Sequence, residues 1–323
     1  QKIMKMVSLT SFWEMKIEEL KAEGRFSTAY IYEYALRTLA EFVGGGEIFF
    51  GAVSRVWLRK FQAYLEEKQR KYNTISTYLR VLRAVYNRAV DERLIEGEYR
   101  LFSGLKMGVA SEKKLAVNAG QMGRLMDMDA GMRRRLPGEV RRAQDLLSLM
   151  VLLQGMPFTD LAHLHKGDLE GDVLTCRRQK TGTELCVTVV PEAMILLNRY
   201  RSRSKKSPYL LKILNWRLKG EAAFADYREK LGELNLQLSR LPELCGVKGL
   251  HISSYTARHT WATLAKFCGI PEEVISEALG HSSLEVTRTY LKSFEKKELS
   301  RANRMIIDYI NSGRKTDWNR VNG

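Results

Sequence analysis

The chain has 323 residues, and 53 Lys and Arg set against 37 Asp and Glu give it a net charge of +16. With 45% hydrophobic and 28% charged residues it is neither disordered nor collagen-like, and its length suits two domains that each bury a core. No run approaches ~18 uncharged apolar residues, so no membrane span is expected, while a pI near 9.7 points to a polyanionic partner, most simply nucleic acid.

Cys176, Cys186, Cys245 and Cys268 lie far apart with no CxxC or Cys/His spacing. That argues against a zinc or other metal site and for a reduced, cytoplasmic protein. The opening Gln1-Lys2-Ile3-Met4 has no signal-peptide pattern. Because it does not begin with Met, the chain is expected to be a piece of a longer one.

The first three helices are expected over Ser8–Ala22, Thr28–Phe42 and Val53–Tyr72, with Gly24 and Gly44-Gly45-Gly46 as breaks. A fourth opens at Asn73-Thr74-Ile75-Ser76-Thr77 and carries Ile75, Leu79, Leu82, Val85, Tyr86 and Ala89 on one stripe. Arg80, Arg83 and Arg88 fall off that stripe, and Lys71, Thr74 and Thr77 stand at the start of the same helix. They read either as a solvated basic face or, Arg88 apart, as a set of contacts to DNA phosphates. Residues 104–117 lack a helical stripe and form the best linker, so the expected division is a domain over 1–105, a linker over 106–117, a second domain over 118–311 and a polar, frayed tail over 312–323.

In the second domain, helices are expected over Asn118–Asp129, from Pro137 to Gly155, and over Phe158–Leu164. Alternation over Asp172–Arg178 and Glu184–Val190, joined by Gln179-Lys180-Thr181-Gly182-Thr183, predicts an antiparallel hairpin. Helices follow over Pro191–Arg201, Ala222–Leu241, Tyr255–Phe267, Pro271–Leu279, Ser283–Lys292 and Glu295–Ile310. Gly280 reads as a C-terminal cap, and Ser282-x-x-Glu285 as a capping box. His281 is thereby fixed between two helix ends, and Tyr290 lies two turns into the next helix. Taken one at a time these are ordinary residues: a tyrosine packing in a core, a capping histidine, a solvated turn lysine, an ion-pairing arginine.

Together and in order, Arg258-His259-Thr260-Trp261-Ala262-Thr263, Leu279-Gly280-His281-Ser282-Ser283 and Thr287-x-x-Tyr290 resemble the tyrosine recombinases, or phage-type integrases. The turn Lys180-Thr181-Gly182 is similar to the lysine turn of that family, and the Thr74–Arg83 helix to the end of its core-binding domain. The resemblance spans roughly residues 8–310. It implies a mainly α protein: a helical N-terminal core-binding (SAM-like) domain, then a mostly helical catalytic domain with a small antiparallel β-sheet.

The resemblance also implies the chemistry. Tyr290 would attack a DNA phosphodiester to form a 3′-phosphotyrosyl bond, which keeps the bond energy without a metal or other cofactor. Arg258 and His281 would clamp the non-bridging oxygens, with Tyr255 standing where the family often has histidine, and Lys180 would protonate the leaving oxygen. A tyrosine with an ordinary pKa of about 10 also needs a proton acceptor nearby. His259 reads mainly as structural. The expected partner is double-stranded DNA, bound by a homo-tetramer in which Glu295–Ile310 docks on a neighbour through Leu299, Met305, Ile306, Tyr309 and Ile310, or else closes its own core. An accessory DNA-bending protein and an upstream arm-binding domain are compatible with this.

Two family positions depart from the pattern: the one held here by Tyr255, and that of the early arginine. The early arginine of the usual motif falls at Pro157; in a mobile-element branch whose arginine directly precedes Gly-Met, it falls at Gln154. Glutamine donates a hydrogen bond but carries no charge. Arg141, Arg142 and Arg178 are the residues from which a substitute would come. The expected function is site-specific recombination as the integrase or invertase of a mobile element. The alternatives are a non-catalytic DNA-binding protein that keeps the fold and a type IB topoisomerase.

Overall fold

The computed structural model describes residues 7–108, 117–126, 135–247, 249–280 and 296–321. The chain divides into two compact units, Gln1–Lys113 and Lys114–Gly323. Among the described residues there are twelve α-helices and one three-stranded sheet, so the protein is mainly α.

Four helices build the first unit: α1 (Leu9–Ala22), α2 (Phe26–Val43), α3 (Arg55–Glu67) and α4 (Tyr72–Asp91). Ser8 and Ser54 cap α1 and α3 by accepting from the backbone N–H of Ser11 and Trp57. Gly44 ends α2 in the left-handed conformation, φ 79°. The core holds Trp13, Leu39, Phe50, Leu58, Phe61, Leu79 and Leu82, and Phe42 adds ring contacts to Trp57 and Phe61 at 5.5 and 5.2 Å. The expected third helix, Val53–Tyr72, is too long at both ends. The chain leaves the helix after Glu67 because Gln69 turns left-handed at φ 53° and the N–H of Arg70 bonds back to Leu65. That is a helix-ending turn made without glycine.

The second unit is built around α6 (Gly138–Leu152), whose residues from Ala143 to Leu152 are all buried. A helix buried all round is one that others surround, and its Gln144, Asp145 and Ser148 are buried with its apolar residues. Packed on it are α8 (Pro191–Tyr200), α9 (Gly220–Leu244) and α10 (Thr256–Phe267). Before α6 comes α5 (Ala119–Leu125), opened by a capping box between Asn118 and Gln121; after it comes the short α7 (Phe158–Ala162).

The sheet is antiparallel in the order β1 (Leu169–Glu170), β2 (Val173–Arg177), β3 (Glu184–Thr188). Leu174 and Cys176 of β2 point inward with Leu185 and Val187 of β3, as alternation requires. The short β1 was not expected. All four cysteines are free thiols. Burial pushes Cys176 up to about 12, with the charge of Asp160 next in effect, so it is an inert core thiol. No described helix is long and apolar enough to cross a membrane.

Two helices complete the unit: α11 (Glu272–Leu279) and α12 (Lys296–Val321). The expected Ser283–Lys292 helix, its capping box, His281 and Tyr290 lie outside the described residues. The expectation for the C-terminal helix is corrected in its length. It continues through residues 312–321 instead of fraying after Asn311. Its Leu299, Ala302, Ile306, Ile307 and Ile310 are buried in the unit's own core, on α5, α10 and β3, while Tyr309 stays exposed. Asn303 fixes that orientation: buried, it accepts from the Trp261 indole N–H at 3.3 Å and donates to the Leu152 carbonyl at 2.8 Å. In the single chain this face closes its own core, one of the two expected alternatives.

Leu79 is fully buried in α4. We expect Leu79→Ala to lower the stability of the first unit by about 2–5 kcal/mol, read in urea denaturation, with the unfolding of the second unit unshifted.

Candidate active site and nucleic-acid interface

Three chain segments far apart in sequence meet behind the β2–β3 turn. The first is α7, whose Asp160 is 4% exposed. Its Oδ1 accepts from the backbone N–H of Gln179 at 2.8 Å, and its Oδ2 accepts from Arg178 Nε at 2.9 Å. One carboxylate thus holds the root of the turn. The turn closes on itself through Arg178 N–H to the Thr183 carbonyl, 2.9 Å, and Gly182 N–H to the Arg178 carbonyl, 2.8 Å, with Gly182 left-handed. Lys180 stands exposed at its tip.

The second segment is the start of α10. Arg258 is 7% exposed. Its Nη2 donates to the Leu279 carbonyl at 2.6 Å and its Nη1 to the Gly155 carbonyl at 3.4 Å. Burial, and after it the charge of Arg178, pulls Arg258 down to about 10. It is still a cation at neutral pH, held where a cation is costly.

The third is the end of α11. Gly280 caps it in the left-handed conformation, φ 61° and ψ 46°, as expected from the sequence. A Cβ there would lie 2.8 Å from Leu185 Cδ2 and 3.1 Å from Arg178 Cδ. Glycine is required both by the dihedral and by the close approach of the hairpin. Arg178 Nη1 donates to the Leu279 carbonyl at 2.7 Å and to the Gly280 carbonyl at 3.3 Å. The Leu279 oxygen, two residues before His281, therefore accepts from two buried guanidinium groups.

The remaining site candidates distribute as follows. Tyr255 precedes α10, is 51% exposed and meets the His259 ring edge-on at 4.5 Å. Gln154 is 2% exposed and left-handed at φ 60°. Its side-chain amide donates to the Leu299 carbonyl at 3.3 Å, toward α12, while its neighbour Gly155 supplies the carbonyl to Arg258. Gly155 is itself tightly placed, with a Cβ position 3.1 Å from Arg258 Cα. Arg142 donates to the Lys212 carbonyl, on an exposed part of the surface, and Arg141 is half-buried on α6. Among the three basic residues named as substitutes, it is Arg178 that the structure brings to Arg258. Asp160 and the Leu279 carbonyl had not been singled out. The only trace of Asp160 in the sequence is an acid in the first turn of a short helix, a common signal for capping.

In the first unit, Lys71 precedes α4, and Thr74, Thr77, Arg80 and Arg83 follow at steps of three along it. Lys71, Arg80 and Arg83 are exposed and have no ion pair among the described residues. The Thr77 hydroxyl donates to the Asn73 carbonyl at 2.7 Å, so its hydrogen is committed to its own helix and only its oxygen remains to accept. No group of His, Cys, Asp or Glu among the described residues is arranged to hold a metal ion.

Residues 8–102 match the sequence model of the phage integrase SAM-like domain, and residues 119–297 match that of the phage integrase family. The chain belongs to the phage integrase, or tyrosine recombinase, family. Its fold is similar to that of lambda integrase residues 75–356, solved as a dimer bound to a COC′ core site: 14% identity, TM-score 0.61, covering 90% of this chain and 99% of that one. It is also similar to the XerH site-specific recombinase bound to its difH substrate, at 17% identity and TM-score 0.58, covering 85% and 81%. The Tn1549 transposon integrase, residues 82–397 in complex with circular intermediate DNA, matches at 16% identity and TM-score 0.55, covering 92% and 99%. No curated protein sequence matches the chain. For a family member, the arrangement behind the hairpin puts the turn lysine, the α10 arginine and the Gly280 corner on one buried anchor.

Removing Asp160 leaves Arg178 buried without its carboxylate. We expect Asp160→Ala to cost about 3–5 kcal/mol and Asp160→Asn, which keeps an acceptor, to cost less. Thermal unfolding followed by circular dichroism measures both, and faster proteolysis within residues 179–183 is the expected local sign.

Proposed function

We propose that this chain is a site-specific DNA recombinase of a mobile element, acting as an integrase or invertase, that cuts and rejoins strands through a 3′-phosphotyrosyl intermediate. The observation that carries this reading is the state of Arg258. Among the described residues it is a buried guanidinium whose two hydrogen bonds both go to backbone carbonyls and not to a carboxylate. Such a cation, preorganised at a cost, suits an oxyanion that arrives with the substrate.

In this reading Tyr290 Oη attacks the scissile phosphorus as its proton passes to an acceptor. A bond forms between Oη and phosphorus while the bond from phosphorus to the 5′ oxygen breaks, and Lys180 gives that oxygen a proton. Arg258, His281 and the Tyr255 hydroxyl stabilise the non-bridging oxygens. Rejoining reverses the steps with a new 5′ hydroxyl. Asp160 supports this by fixing the Arg178–Gln179 peptide, one residue before Lys180, and so holds the root of the turn. Lys71, Arg80 and Arg83, with Thr74 and the Thr77 oxygen beside them, are assigned to the DNA backbone from the first unit, where phosphate contacts fix register.

The solved relatives include a lambda integrase dimer on a core site and a tetramer bound to a Holliday junction. By analogy we take the working form here to be a homo-tetramer on two duplexes.

Two outcomes test the reading. Incubated with nicked duplexes tiled across the flanking DNA, the protein forms a covalent adduct visible on denaturing gels, and Tyr290→Phe abolishes it without weakening binding. Specific binding with no adduct would favour a DNA-binding protein without catalysis, and relaxation of supercoiled DNA at no particular site would favour a topoisomerase. Separately, Arg80→Ala and Arg83→Ala each reduce affinity across all sequences and lower the slope of log K against log salt by about 1, measured by fluorescence anisotropy.

A further inference from the structure

The departure at Gln154 and Pro157 leaves the site one guanidinium short, and a missing oxyanion donor typically costs ~10²–10³ in rate. The residue at the Gln154 position does not fill the gap, since its amide is turned toward Leu299. What the fold delivers instead comes from the other side, off the end of β2.

We infer that Arg178 is the second guanidinium of the phosphate site, a role that this chain has moved from the α6–α7 turn to the root of the lysine hairpin. This rests on the recombinase reading and names a further residue at that same site.

Three observations support it. First, Arg178 and Arg258 donate to the same Leu279 oxygen, at 2.7 and 2.6 Å. Their nitrogens therefore lie no further apart than the sum of those distances, about 5.3 Å, within reach of one phosphate group. Second, the charges there do not balance. Among the described residues, two buried guanidinium groups face one carboxylate, that of Asp160, which is ion-paired with Arg178 and not with Arg258. The surplus positive charge sits in a low-dielectric place where burial already weakens Arg258 as a cation, and an arriving phosphate would offset it. Third, Arg178 commits Nε and Nη1 to Asp160 and the Leu279–Gly280 corner. Its Nη2 has no hydrogen-bond partner among the described residues, so one donor edge of a fixed fork is left for a ligand.

The alternative is that Arg178 is a strut, tying α7, the hairpin and α11 together with no part in anion binding. The two roles separate when the charge of the ligand is changed and the protein is left as it is. Neutral methylphosphonates, placed one at a time across the bound DNA site, remove the negative charge of single phosphates. With Tyr290→Phe protein, so that no strand is cut, each substitution is read as a change in Kd. One phosphate is expected at which the neutral group weakens binding at least several-fold. In Arg178→Met that penalty disappears, as it does in Arg258→Met, while penalties at other phosphates persist. Arg178→Lys, which keeps the charge, retains it in part. A uniform loss of affinity in Arg178→Met with the pattern of penalties unchanged would overturn the inference and leave a strut. So would a pattern in which the Arg178 and Arg258 positions differ. Protein that binds no DNA would instead count against the recombinase reading itself, and the inference would fall with it.

Discussion

The second unit depends on one carbonyl. The Leu279 oxygen ends α11, and two arginines from distant parts of the chain converge on it, one from α10 and one from the end of β2. A carbonyl has two lone pairs, so it can take both donors. Through it the helix that carries Arg258, the turn that carries Lys180 and the corner that leads to His281 are held in one place. Asp160 balances part of the charge and Gly280 makes the approach sterically possible. Neither replaces that shared acceptor.

The arrangement is strained in an electrostatic sense. Burying two like charges against one carboxylate opposes folding, and it is held by hydrogen bonds and by the packing of α6 and α10 around it. In the free protein its hydrogen bonds hold these elements together against that repulsion. An apolar group in place of Arg258 would be cheaper to bury. The cost becomes intelligible if the site waits for an anion, with its donors already oriented before the charge arrives.

Much of this was legible in the sequence, because the signals were local. The Ser8 and Asn118 caps, the Gly44 and Gly280 helix ends, the β2–β3 hairpin and the buried stripe of α4 follow from turn chemistry and periodicity. The misses have physical causes. The end of α3 is set by a left-handed Gln69, a conformation for which glutamine carries no signal. The buried face of α12 is set by Asn303 binding Trp261 and Leu152, from elements 42 and 151 residues away. The pairing of Arg178 with Leu279 spans 101 residues. No periodicity encodes such a contact, so Arg178 could be named in the sequence only as one of several basic residues.

The central claim is that Arg178 and Arg258 form one electrostatically coupled unit around the Leu279 carbonyl. A double-mutant cycle with Arg178→Met and Arg258→Met, read as unfolding free energy in urea without DNA, tests it most directly. Each single variant loses its own contacts but relieves the repulsion between the two, and the double variant relieves that repulsion only once. The account predicts that the double variant loses more stability than the two singles combined, by about 0.5–3 kcal/mol. Additivity to within about 0.3–0.5 kcal/mol would mean that the two arginines are independent, and would contradict it.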